Sequence, residues 1–291
     1  MVSSALTTRP ERVLAWGMEW RRDLPWHATR DPWGILVCEV MAQQTTLARV
    51  AQRWGPFLAR FPTPAAMARE PAAEVVRWWS GLGYNRRALH LHRAATVIFE
   101  DHGGVLPDNL EGLLALPGVG PYTARAVLAF AFEREVGIVD TNTARVLARW
   151  TGECLGPAAV QHAADEEVPA GQAWAWNQAM LDLGATVCRR RVPRCGECPV
   201  SEDCSWHSAG RPDPDPAEGT AGVSVGQSIF AGSDRQGRGA LVAALRLGDV
   251  AQSEVAATMG WPEDPERARR VAGRLIDDGL VRRRGGGYAL A

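Results

Sequence analysis

Four cysteines, Cys188, Cys195, Cys198 and Cys204, follow the spacing C-x6-C-x2-C-x5-C, and a group that binds all four must draw this short loop to one point. Thiolates are soft donors that suit iron-sulfur clusters or zinc. Zinc ribbons take their ligands from two C-x2-C knuckles, and this stretch has one. The spacing therefore points to a 4Fe-4S cluster, with zinc and unligated thiols as the alternatives. Four arginines, Arg189, Arg190, Arg191 and Arg194, fill the first gap. As a bare charge run they read as solvated surface; beside a metal centre they read as a loop held against nucleic acid.

Composition narrows the setting. No run of about 18 apolar residues exists to span a bilayer, and Met1 to Arg12 lacks the apolar core of a secretory signal. The expectation is a cytoplasmic protein, free of membrane contact, whose thiols stay reduced and can hold metal. A chain of 291 residues is long enough for two or three small domains. With a net charge of -1, DNA binding needs local basic surfaces rather than bulk charge. All 32 basic residues are arginine. The absence of lysine, readily produced by a high-GC genome, removes the amine that normally forms the Schiff base of a strand-cutting enzyme, leaving only the chain's terminal amine.

Residues 8 to 208 show helical periodicity throughout, as in Val13, Leu14 and Trp16, in Ile35, Leu36, Val40 and Met41, and in Leu89, Leu91, Ala95, Val97 and Ile98. Turn signals at Pro62-Thr63-Pro64, Gly103-Gly104, Pro117-Gly118 and Gly156-Pro157 divide the helices, and no strands are expected there. From Ala209 to Gly226 the sequence turns Gly, Pro, Asp and Glu rich and reads as an unfolded linker. Residues 227 to 291 read as a second unit. Its helical patterns cover 239 to 247, 252 to 259 and 265 to 280, and two short strands follow from Val281. That order describes a winged helix, or else a small helical module packed on the main body or a partner.

The motif Leu116-Pro117-Gly118-Val119-Gly120-Pro121-Tyr122-Thr123 has the glycines of a tight turn followed by a helix start, whose unpaired N–H groups and dipole favour phosphate. It reads as a helix-hairpin-helix. Asp140 stands some twenty residues on, placed to cap a helix from Thr143 to Trp150.

With these motifs in order, the chain resembles the helix-hairpin-helix DNA glycosylase superfamily and, within it, MutY-type adenine DNA glycosylases. The likeness runs from residue 8 to 208 through Leu24-Pro25-Trp26, Glu39-Val40-Met41-Ala42-Gln43-Gln44-Thr45, Gly81-Leu82-Gly83-Tyr84, the hairpin, Val139-Asp140-Thr141-Asn142, Trp176 to Ala185 and the four cysteines. It implies an all-α, two-lobed glycosylase fold. Residues 1-27 and 137-208 would form the 4Fe-4S lobe and 28-136 a six-helix lobe containing the hairpin, followed by the 209-226 linker and the winged-helix-like 227-291. The usual Nudix-like C-terminal reader of 8-oxoguanine does not fit in the 65 residues left.

The resemblance also assigns roles. Glu39 would be the acid that protonates the adenine ring and then activates water, its pKa raised by burial. Asp140 would lie beneath the oxocarbenium-like sugar, kept ionised by hydrogen bonds. Tyr122 occupies the place of the lysine in strand-cutting relatives, and Asn142 would hold the water or sugar. Trp26 and Gln178 would line the adenine pocket, Gln44 and Tyr84 would wedge into the duplex, and Gly118, Val119 and Gly120 would seat a phosphate. Taken alone, each has a plainer reading as packing, capping or loop. Three departures from the family pattern stand out: His27 beside the pocket tryptophan, Asn85 where a second aromatic is common, and Pro121 in place of a phosphate-binding arginine. The expected partner is double-stranded DNA with a mismatched or oxidised pair, bound by a monomer. A thymine or uracil mismatch glycosylase and an iron-sulfur DNA-binding regulator are the competing readings. Cys38 and Cys154 are expected to be buried apolar residues.

Overall fold

The computed structural model describes residues 8–224 and 229–291. Residues 1–7, which carry the terminal amine, and residues 225–228, at the junction of the expected linker and C-terminal unit, lie outside the described residues. Helices dominate up to the cysteine segment: α1 (Arg9–Trp20), α2 (Pro32–Ala42), α3 (Leu47–Arg60), α4 (Pro64–Ala68), α5 (Ala72–Trp78), α6 (Arg86–Asp101), α7 (Leu110–Ala115), α8 (Pro121–Ala131), α9 (Thr141–Thr151), α10 (Pro157–Glu166), α11 (Ala173–Thr186) and α12 (Ser205–Ser208). Beyond it come α13 (Asp234–Leu245), β1 (Val250–Ala251), α14 (Val255–Thr258), α15 (Pro265–Asp277), β2 (Val281–Arg284) and β3 (Gly287–Leu290). Among the described residues no helix is long and apolar enough to cross a membrane.

The chain divides into two compact units, and their borders differ from those expected. Of the described residues, one unit takes 8–35, 108–110 and 120–224, and the other 36–107, 111–119 and 229–291. Residues 28–35 and 120–136 therefore join the cysteine-bearing unit, and the expected independent domain from 227 joins the six-helix body.

In the first unit α9 and α11 form the centre, with α1 packed along α11 and α12 against α9. Val13, Leu147, Trp150, Trp176, Met180 and Leu183 make a continuous apolar core there. Gly184 lets α11 press on the start of α9, because a Cβ at that position would stand 2.6 Å from the Asn142 Cβ.

Residues 209–224 are not the loose linker their composition suggested. Asp215 is ion-paired with Arg149, Ala217 and Thr220 are 4% and 3% exposed, and Ala221 N–H donates to Leu155 O at 2.9 Å. Asp and Thr side chains satisfy buried groups here, and so replace the apolar surface the segment lacks.

In the second unit α4 and α5 pack on α6 around Phe57, Phe61, Trp79 and Ile98. Its C-terminal portion runs helix, strand, helix, helix, strand, strand. The strands form one antiparallel sheet of order β1-β3-β2, with Val250 opposite Tyr288 and Val281 opposite Leu290. The expected hairpin is present, but β1 is a third strand that two residues gave no means to foresee. Helix α13 begins earlier than expected because Ser233 caps it, accepting from Gln236 N. Helix α15 ends sooner, at Asp277, two residues before Gly279, whose φ of +76° takes the chain out of the helix. Arg246 anchors this portion on the body, with its Nη2 donating to Asn85 Oδ1 at 2.8 Å and its Nε to Val76 O at 3.0 Å.

Candidate active-site residues and the cysteine centre

The carboxylates proposed from the sequence fall in different units. Glu39 sits on α2, where every other residue from Trp33 to Met41 is buried, and is itself 7% exposed. Just beyond it α2 ends, and Arg87 receives the freed carbonyls: Nη1 donates to Val40 O and Met41 O at 2.7 and 2.8 Å. The same guanidinium donates from Nη2 to Thr45 Oγ1 and to Leu82 and Gly83 O at 2.9–3.0 Å. One buried cation, with neutral oxygens as its partners, thus joins the end of the Glu39 helix to the Gln44 and Tyr84 turns, and burial pushes its pKa down to about 10. Sequence reading missed Arg87; the adjacent Arg86-Arg87 pair gave no sign of which one turns inward.

Gln44 and Tyr84, the expected wedges, are exposed and have φ of 55° and 45°, the left-handed region that non-glycine residues rarely adopt. Both line one cavity of this unit. Gly118 belongs to the same unit. Its φ is +79°, and a Cβ there would stand 2.5 Å from the His90 Cβ, so both conformation and space require glycine. Val119 is 7% exposed and its N–H donates to Leu116 O at 3.1 Å, which makes it the buried pin of the hairpin. Gly120 is the N-cap of α8, Pro121 its first residue, and Tyr122 a half-buried second.

Asp140 caps α9, whose first residue is Thr141 rather than the expected Thr143. Its Oδ1 accepts from the Asn142 and Thr143 N–H groups at 2.8 and 2.7 Å, and its Oδ2 from Asn142 Nδ2 at 2.9 Å. Burial outweighs these bonds and moves its pKa above the ordinary aspartate value, against the expectation that they would hold it low. Asn142 serves Asp140 directly, and its Oδ1 accepts from Arg145 Nη2 at 2.9 Å. Trp26 lies in a 3-10 turn, Pro25–Ala28, and is 9% exposed; Gln178 on α11 is 7% exposed. His27 stands between Trp26 and Trp174, 6.5 and 5.7 Å from their ring centres. Burial, followed by the Arg21 charge, lowers its pKa, so the imidazole is neutral at pH 7. Asp182, 1% exposed, tethers the approach to this turn by accepting from Arg22 N at 3.1 Å and Nε at 2.5 Å.

All four quartet cysteines line a single small cavity with Arg149, Trp150 and Trp206. Burial raises the thiol pKa values of Cys188 and Cys204 and pushes Cys198 up to about 11. Among the described residues no group of three or more His, Cys, Asp or Glu side chains is gathered closely enough to hold a metal ion. Arg149, 2% exposed, donates to Cys188 Sγ at 3.3 Å, to Arg189 and Arg190 O at 2.8 and 2.9 Å, and to Asp215 at 2.5 Å. Arg145, one turn earlier, donates from Nε to Cys188 O at 2.7 Å. Arg189, Arg190, Arg191 and Arg194 are exposed, as a solvated loop or a phosphate-facing one both require. Cys38 is buried as expected, but Cys154 is exposed because its turn leaves the core at Gly152.

Residues 37–168 match the HhH-GPD superfamily of base excision DNA repair proteins. The chain is 42% identical over 285 residues to an adenine DNA glycosylase of Mycobacterium tuberculosis, covering 93% of this chain and 89% of that one. It is 41% identical over 292 residues to an adenine DNA glycosylase of Mycolicibacterium smegmatis, covering 98% and 97%. A solved structure of a thermostable thymine-DNA glycosylase superposes with a TM-score of 0.65 at 32% identity, covering 69% of this chain and 95% of that one. The chain therefore belongs to the adenine DNA glycosylase family of this superfamily.

Proposed function

We propose that this DNA N-glycosylase hydrolyses the bond between adenine and deoxyribose where adenine is mispaired with 8-oxoguanine or guanine, and that it leaves the backbone uncut. The observation that carries the reading is Glu39, a carboxyl group set into an otherwise buried apolar helix in a chain related along nearly its whole length to adenine glycosylases. The target nucleotide leaves the base stack, at a cost of a few kcal/mol that side chains entering the gap offset; Gln44 and Tyr84 are the residues for that role. Glu39 gives its proton to a ring nitrogen of adenine, so that the base departs with the bonding electrons of the C1′–N bond. Asp140, ionised, stabilises the cationic sugar. The Glu39 carboxylate then takes a proton from water as its oxygen adds to C1′, which regenerates the acid. Asn142 orients Asp140. Tyr122 stands where strand-cutting relatives carry an amine, and a chain without lysine has no side-chain amine to form the Schiff base of backbone cleavage.

The residues that would hold a 4Fe-4S cluster, a group wider than the single ion these side chains are too spread to grip, are Cys188, Cys195, Cys198 and Cys204. Four soft donors line one small cavity, and the Arg145 and Arg149 guanidiniums lie against Cys188 to offset the negative charge of bound thiolates. Bound there, such a cluster would tie the Arg189–Arg194 loop to one place, and the exposed arginines of that loop are the ones to meet phosphate. The element order after Ser233 supports a winged helix, with the Arg282–Arg284 strand as its wing.

Likeness to the thymine-DNA glycosylase structure favours a second reading, removal of thymine or uracil. Duplexes carrying A:oxoG, A:G, T:G and U:G decide between them. Free adenine with strand scission only after alkali supports the proposal, and thymine or uracil release in its place overturns it.

A further inference from the structure

We infer that Asn177 and Gln161 are positioning residues for this reaction: they grip residues 136–138 from opposite edges and so fix where Asp140, two residues further on, presents its carboxylate. This rests on the glycosylase reading above. Gly137 and Ile138 are buried, and among the described residues no strand of a sheet lies beside them. Their backbone groups must nonetheless be paired.

An extended chain turns the C=O of one residue and the N–H of the second residue after it to the same side. On one edge those groups belong to Val136 and Ile138, and a single side chain meets both: Asn177 Oδ1 accepts from Ile138 N–H at 2.8 Å, and its Nδ2 donates to Val136 O at 3.0 Å. The amide stands where a neighbouring strand would. Its other N–H goes to Ala173 O at 2.8 Å, one turn back on α11, and the side chain is 2% exposed. Turned over, the amide would set N–H against N–H and oxygen against two carbonyls, so a donor and an acceptor in this order are both required.

The opposite edge is held from α10 and α8. Gly137 N–H donates to Asp165 Oδ1 at 2.8 Å, and Gly137 O accepts from Gln161 Nε2 at 3.0 Å and from Arg125 Nη1 at 3.3 Å. Asp165 Oδ1 in turn accepts from Arg125 at 2.6 Å and from Gln161 at 3.3 Å. No side chain fits at Gly137, because a Cβ would stand 2.3 Å from Ala164 O, and the segment lies directly on α10. The Asn142 and Thr143 bonds orient the Asp140 carboxylate on α9, while this clasp sets the path of the chain that enters it. A group that stabilises a sugar cation tolerates little displacement, since about 1 Å can cost a hundredfold in rate.

The test uses the full-length protein and N177D, N177L and Q161A. N177D keeps an acceptor for Ile138 N–H but faces Val136 O with an oxygen; N177L keeps the volume and removes both partners; Q161A acts on the far edge alone. Single-turnover adenine release is measured on an A:oxoG duplex, and binding on the same duplex carrying 2′-fluoro-deoxyadenosine, which resists hydrolysis. Release is expected to fall by about tenfold to a hundredfold in the Asn177 variants and about threefold in Q161A, with binding changed by less than about twofold. A residue that acts through Asp140 adds little once Asp140 is disabled, so in a D140N background each substitution is expected to slow release by less than about twofold more. A folded Asn177 variant with the wild-type rate, an equal loss with and without D140N, or a loss of rate matched by a loss of binding overturns the inference. If neither Asn177 variant melts cooperatively, Q161A decides by the same criteria. A wild type that releases no adenine from any duplex sinks the glycosylase reading instead; amide exchange at Gly137 and Ile138 then decides the clasp, which faster exchange in N177D or Q161A supports and unchanged exchange overturns.

Discussion

Asp140 works against two opposed influences. Burial favours its neutral form, while three hydrogen bonds from Asn142 and Thr143 favour the anion, and the balance leaves its pKa above the usual 3.8. Stabilising a cationic sugar requires the anion. The rate of adenine release therefore falls as pH drops through this raised value, and the acid limb of the single-turnover profile lies above 3.8. Removing the Asn142 amide removes a donor to the charged form, so N142A is expected to move that limb to still higher pH; a limb that stays put would refute the role. E39Q and D140N are each expected to lower the rate at least a hundredfold, in line with general acid–base and electrostatic contributions of about 10²–10⁴, while binding of undamaged duplex persists. An unchanged rate in E39Q would end the mechanism.

At the level of elements, single arginines connect segments distant in sequence. Arg87 closes α2 onto the Tyr84 turn, and its loss leaves several carbonyls buried and unsatisfied. R87A is expected to cost about 3 kcal/mol, given 1–3 kcal/mol for each stranded group, read as a lowered urea midpoint. On α9, Arg149 runs from Cys188 to the 209–224 segment, where Asp215 neutralises it. Breaking one side of a buried pair costs roughly 3–5 kcal/mol, so D215N is expected to lose about that much stability, read as a lowered urea midpoint. If residues 209–224 were an idle linker, D215N would melt like the wild type. The same segment carries Gly222, packed on Ala144, Val139 and the Asp140 carbonyl, and so it supports α9 from the cysteine end to the Asp140 end.

For the whole molecule, near-neutral net charge coexists with arginines concentrated on particular loops. Duplex binding is accordingly expected to weaken steeply with salt, with a slope of about -0.9 for each phosphate neutralised, and replacing Arg190 and Arg191 with alanine should flatten that slope by one to two. A salt-independent affinity would place DNA elsewhere. The missing lysine acts at this scale too: borohydride is expected to trap no covalent adduct with substrate DNA. The C-terminal portion belongs to the same compact unit as α3 to α6, docked through Arg246 and Asp278. Asn85 serves that docking by accepting from Arg246.

Periodicity, turn residues and motif order sufficed to read the helical body, the hairpin, the Asp140 cap and the last two strands, because these follow from contacts between near neighbours in the chain. Packing between distant segments decided the rest. It turned Arg87 and Arg149 inward, folded a Pro- and Asp-rich stretch against α9, and raised the Asp140 pKa. A charged residue looks alike in sequence whether it faces water or a cluster of buried carbonyls, and the difference exists once the remote partners are in place.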